Sequence, residues 1–128
     1  MTSPVRSCLV VDDSPTFCAS VRGMLETGGL AVVATASTLA EAVDATTTHD
    51  PDLVLVDIDL GGESGFDVVE VLHGLRPRHV PAILLVSTHD QDDFAEMVEA
   101  SSAIGFLQKI DLSTELILRT VSGTSPRT

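Results

Sequence analysis

Apolar positions along this chain come in blocks of two kinds. Short, largely apolar runs lie at 8–11, 31–36, 53–56, 82–86 and 105–107. Between them are longer stretches in which apolar residues recur every three or four positions. These are Phe17, Val21, Met24 and Leu25; Leu39 and Val43; Val68, Leu72 and Leu75; Phe94, Met97 and Val98; and Leu116, Ile117 and Val121. Runs without polar alternation predict strands buried on both faces, and the three-to-four spacing predicts helices with one apolar stripe. The punctuation agrees. Ser14-Pro15 reads as an N-cap with proline in the first turn, and Gly28-Gly29 as a helix stop. Thr38, three residues before Glu41, resembles a capping box. Pro51 and Pro81 introduce the third and fourth strands, Gly61-Gly62 and Gly65 form a loop after the third, and 113–122 supports a final helix. The expected fold is α/β, a (βα)₅ chain with a doubly wound parallel sheet and right-handed crossovers.

In an open sheet of this kind ligands lie outside the carboxyl ends of the strands. Those ends read Asp12-Asp13, Asp57, Ser87 and Lys109, each at or just behind the end of an apolar run. Taken singly, any of them could be a solvated loop residue or a helix cap. Four strands ending this way is a more specific signal. Three carboxylates in a small volume repel one another and call for a cation. A hard divalent ion with oxygen ligands, Mg²⁺ (or Mn²⁺), suits them. Lys109 adds a compact positive charge, and Ser87 a hydroxyl able to donate to an oxygen on a central group.

Composition narrows the partners. Of 128 residues, 19 are acidic and seven basic, a formal net charge of −12, so direct binding to nucleic acid or to an anionic membrane is not expected. The 44% hydrophobic content supports a folded core on a single-domain length. No apolar run approaches the roughly 20 residues of a membrane span, and no secretory signal pattern opens the chain, so the expected setting is cytoplasmic. Cys8 and Cys18 form no disulfide framework and read as small buried thiols.

Val10-Val11-Asp12-Asp13-Ser14, Asp52-Leu53-Val54-Leu55-Val56-Asp57, Gly65, Val86-Ser87 and Gly105-Phe106-Leu107-Gln108-Lys109 resemble the receiver domains of two-component response regulators, over nearly the whole chain. The resemblance implies the flavodoxin-like strand order 2-1-3-4-5, with a receiver over 1–122 and a polar tail at 123–128. It implies that Asp57 accepts a phosphoryl group from the phosphohistidine of a sensor histidine kinase or a phosphotransfer protein. Asp12 and Asp13 are then the metal carboxylates, with the backbone carbonyl of Asp59 a further ligand. Ser87 is the switch hydroxyl, Lys109 contacts the phosphoryl group, and Phe106 holds the aromatic switch position. Phosphorylation would reshape the face made by the fourth helix, fifth strand and fifth helix, for a downstream partner or for an output domain outside this chain. Asp59 and His89, each two residues past a site residue, are placed to tune the lifetime of the acyl phosphate.

The chain departs from the family pattern in three places. Ile110 replaces the proline usual after the lysine, and a cis bond before a non-proline residue costs about 2.5–4 kcal/mol, so a trans Lys109–Ile110 bond is expected. Gly61 replaces a common proline and Ser102 a common glycine. Other readings remain. Asp57-Ile-Asp59 resembles the Asp-x-Asp of haloacid dehalogenase phosphatases, but that motif normally ends the first strand. A flavin-binding module shares the strand order, but Asp12-Asp13 would repel its phosphate and Trp and Tyr are absent. A receiver-like module that binds partners without phosphorylation is the third.

Overall fold

The computed structural model describes residues 5–75, 80–88 and 93–123. Five strands alternate with five helices: β1 (Ser7–Val11), α1 (Pro15–Thr27), β2 (Ala31–Ala36), α2 (Leu39–His49), β3 (Leu53–Asp57), α3 (Gly65–Leu75), β4 (Ala82–Ser87), α4 (Ala95–Ala100), β5 (Gly105–Gln108) and α5 (Thr114–Gly123). All strand pairs are parallel and the order is β2-β1-β3-β4-β5, as expected. Gly65 opens α3 rather than lying in the loop before it, and α5 runs one residue past its expected end.

The unbroken apolar runs have a direct structural cause. Every residue of β3 is buried, because successive side chains enter opposite cores. Leu53 and Leu55 join Cys8, Val10, Val21, Leu25 and Ile117 beneath α1 and α5. Val54 and Val56 join Leu9, Val11, Val68, Leu72 and Phe106 on the other face. Both cysteines are buried free thiols, and burial pushes Cys8 up to about 12, which leaves it chemically inert.

Helix starts follow the cap chemistry. The Ser14 hydroxyl accepts from the Phe17 amide at 3.2 Å, and Thr38 Oγ1 from the Glu41 amide at 3.1 Å. Glu41 reaches back to the Ser37 amide, 2.8 Å, rather than to Thr38, so the capping box closes one residue early. In the Gly28-Gly29 pair the tasks differ. Gly29 takes the left-handed conformation (φ 94°) that ends α1. Gly28 makes room instead: a Cβ there would lie 2.5–2.7 Å from Thr114 side-chain atoms.

Candidate functional site

Register brings the expected residues together. Asp57 ends β3 opposite Val86, and Ser87 ends β4 opposite Gln108, the residue before Lys109. Across the sheet centre, Val11 pairs with Val56, so Asp12 emerges beside Asp57. The Ser14 amide holds Asp12 Oδ1 at 2.8 Å. Asp12, Asp57 and Ser87 are all buried, while Asp13 is exposed at the mouth. One oxygen from each of Asp12, Asp13 and Asp57 lies within 4.8 Å of the others. Lys109 Nζ lies 2.6 Å from Asp12 Oδ2 and 3.3 Å from Asp57 Oδ2. On its other side the ammonium stands 4.1 Å from the centre of the Phe17 ring.

Electrostatics follow from this crowding. Burial, then the charge of Asp12, raises the Asp57 carboxyl to about 6, against the pull of Lys109 and the Asp59 amide. Burial would lower the Lys109 ammonium, but Asp12 and Asp57 together outweigh it and raise it. One ammonium among three carboxylates leaves two negative charges uncompensated. A divalent cation with oxygen ligands fits that donor set and that charge.

The segment after Asp57 is shaped by close approaches. A Cβ on residue 65 would run into the Asp57 carbonyl, so only glycine lets α3 start against the end of β3; its amide donates to the Ile58 carbonyl at 2.6 Å. Gly61 has φ 77°, and its amide donates to Asp59 Oδ1 at 3.0 Å. Glycine at 61, where the resemblance led one to look for proline, is thus required by the turn. The cleft above the carboxylates measures about 680 Å³ and is lined by Asp13, Asp57, Ser87 and Lys109, with Phe66 and Met97 toward α4.

Asp12, Asp13, Asp57, Ser87 and Lys109 therefore converge, and Asp59 lies exposed on the cleft rim. Phe106 is on β5 with its ring buried in the core beneath α3 and α4. His89 lies outside the described residues. The Lys109–Ile110 bond is trans, as expected, and Ile110 stands 89% exposed on a 3₁₀ turn over Lys109–Asp111. Two residues here were invisible to the sequence reading. Phe17 lies on the apolar stripe of α1, and helical spacing alone accounts for it. Glu63, in the Gly-rich loop, accepts from the Leu39 amide at 2.7 Å and so ties that loop to the start of α2. A carboxylate between two loops carries no periodic signal.

Known proteins match this arrangement. The family described as the response regulator receiver domain matches residues 8–120. A protein-glutamate methylesterase/protein-glutamine glutaminase of Natronomonas pharaonis is 35% identical over 106 residues, 80% of this chain and 29% of that protein. The DNA-binding transcriptional activator EvgA of Escherichia coli is 28% identical over 104 residues, 80% of this chain and 50% of that protein. The chain thus spans about half or less of the length of these curated relatives. Among solved structures, a Burkholderia pseudomallei response regulator with a phosphorylated aspartic acid, calcium ion and citrate superposes with TM-score 0.81 at 26% identity, covering 94% of this chain and 69% of that one. The Vibrio cholerae chemotaxis protein CheY4 superposes with TM-score 0.80 at 24% identity, covering 94% and 98%. Strand order, the charged cleft at the strand ends and the match over residues 8–120 agree, and this chain belongs to the response regulator receiver family.

Proposed function

We propose that this domain is a phosphorylation switch of two-component signalling, taking a phosphoryl group onto Asp57 from the phosphohistidine of a sensor histidine kinase or a phosphotransfer protein. The observation that carries the reading is the convergence of three carboxylates, one hydroxyl and one ammonium from four strand ends in one cleft. A relative whose structure holds a phosphorylated aspartic acid and a calcium ion supports it. Asp12, Asp13, Asp57 and the Asp59 carbonyl are the residues that would hold Mg²⁺ or Mn²⁺, which when bound neutralises charge on the transferring oxygens.

The chain's own groups do the rest. The Asp57 carboxylate attacks phosphorus in line; the new P–O bond forms as the P–N bond to the donor imidazole breaks, and the imidazole keeps the electron pair. Lys109, already 3.3 Å from Asp57 Oδ2, pairs with one equatorial oxygen, and the Ser87 hydroxyl donates to another. Asp59 and His89 tune the lifetime of the product. Ser87, drawn to the phosphoryl group, vacates space behind β4, and the Phe106 ring turns inward into it. The α4-β5-α5 face then changes affinity for a downstream protein or an output domain. The receiver covers 1–122, with 123–128 as a polar tail, and acts in the cytoplasm. The domain assists its own modification and turns over no separate substrate. Its net charge of −12 leaves nucleic acid and membrane to other partners.

Intact-protein mass spectrometry after incubation with acetyl phosphate and Mg²⁺ tests this. One phosphoryl adduct is expected, absent from Asp57→Asn and from a chelated control. No adduct, where a known receiver is labelled in parallel, would favour a module that binds partners without phosphorylation.

A further inference from the structure

We infer that Phe17 is a positioning residue for Lys109, holding its ammonium at the phosphoryl site through the face of its ring; this rests on the phosphotransfer reading above. The lysine pairs with two of the three clustered carboxylates, yet its long side chain leaves from a 3₁₀ turn whose next residue, Ile110, is 89% exposed. Little in that turn fixes where Nζ ends. Two carboxylates draw it inward, 2.6 Å from Asp12 and 3.3 Å from Asp57, and Asp12 has the shorter contact.

The Phe17 ring, 4.1 Å away, supplies a third contact that carries no charge and so does not compete for metal or proton. Its own place is fixed twice over: Ser14 caps its amide at 3.2 Å, and the ring packs against the core beneath α1. The same β1–α1 segment therefore delivers Asp12 and the surface on which the ammonium rests. A partly shielded ring contact of this kind is worth roughly a fivefold change in rate when its benefit is felt in the transition state.

Phe17→Leu removes the π face and keeps apolar bulk; Phe17→Tyr keeps the face. Three readouts apply: the rate of adduct formation with acetyl phosphate and Mg²⁺, Mg²⁺ affinity by calorimetry, and the proton shifts of the Lys109 ε-methylene. The ring predicts an upfield ε-methylene in wild type and Phe17→Tyr, lost in Phe17→Leu. It predicts adduct formation about fivefold slower in Phe17→Leu and within twofold of wild type in Phe17→Tyr, with Mg²⁺ affinity unchanged within twofold throughout. Equal rates in Phe17→Leu and wild type would overturn the assignment, as would parallel losses in both variants accompanied by weaker Mg²⁺ binding. If wild type takes no label, the phosphoacceptor reading fails by itself. An ordinary ε-methylene shift in wild type would then overturn the Phe17 assignment too, whereas an upfield one would uphold the contact.

Discussion

Asp57 is 8% exposed, faces a second buried carboxylate, and has its carboxyl raised to about 6. The folded state thus holds the Asp57 proton more tightly than the unfolded chain does. The stability this proton lends is present in acid and lost as pH climbs through about 6. Asp57→Asn removes the ionisation and keeps an acceptor for Lys109. Without divalent metal at pH 7.5 it should stabilise the domain by about 1–2 kcal/mol, below the ceiling of about 3 for a shift of this size. That amounts to roughly 4 °C in melting temperature per kcal/mol. The gap should narrow as pH falls below about 6, close only below the ordinary carboxyl value of 3.8, and narrow when Mg²⁺ is added; melting curves of both proteins across pH check this, and a gap constant with pH would contradict it. At this scale most of the site was legible. Asp12, Asp57, Ser87 and Lys109 stand just behind apolar runs, and a parallel sheet gathers strand ends at one edge. Phe17 was not legible, because helical spacing already accounts for it and the lysine above it arrives from the far end of the chain.

Between elements, α1 and α5 meet closely at Gly28. The Thr114 hydroxyl donates to the Met24 carbonyl at 3.1 Å, a second bond to an oxygen that also accepts the Gly28 amide at 3.2 Å, and its side chain fills the space that a Cβ on residue 28 would need. Gly28→Ala should therefore destabilise by about 1–3 kcal/mol through overpacking. Combined with Thr114→Ala, the loss should be smaller than the sum of the two single losses, a coupling read from urea unfolding of all four proteins. Strict additivity would mean that the two residues do not meet. The helix-stop reading of Gly28-Gly29 anticipated where α1 ends, since left-handed φ is local chemistry. It could not anticipate that Gly28 answers to α5, because that demand comes from a residue far along the chain. Glu63 capping α2 from the loop after β3 is a second case: Glu63 is exposed, Leu39 already belongs to the apolar stripe, and neither interrupts a pattern.

For the molecule as a whole, apolar runs dictated five strands but not their order; β1, β3 and β4 are buried on both faces, while β2 and β5, at the sheet edges, are buried only in part. That order came with the resemblance, and the sheet has it. The two faces are unequally secured. Beneath α1 and α5 the core includes Leu25 and Ile117, with no exposed surface at all. On the other face α4 has six residues, one buried side chain in Val98, and no side-chain cap at its start. A helix shorter than two turns with a single anchor holds its shape by tertiary contact alone. Time is the currency in which that difference shows. In heavy water the α4 amides should lose their protons orders of magnitude sooner than those of β1 and β3, whose release requires opening the whole sheet. Comparable protection in α4 and β3 would refute this. A partner that reshapes α4 would then act on motion the domain already undergoes, and the sheet that carries Asp57 would keep its slow clock.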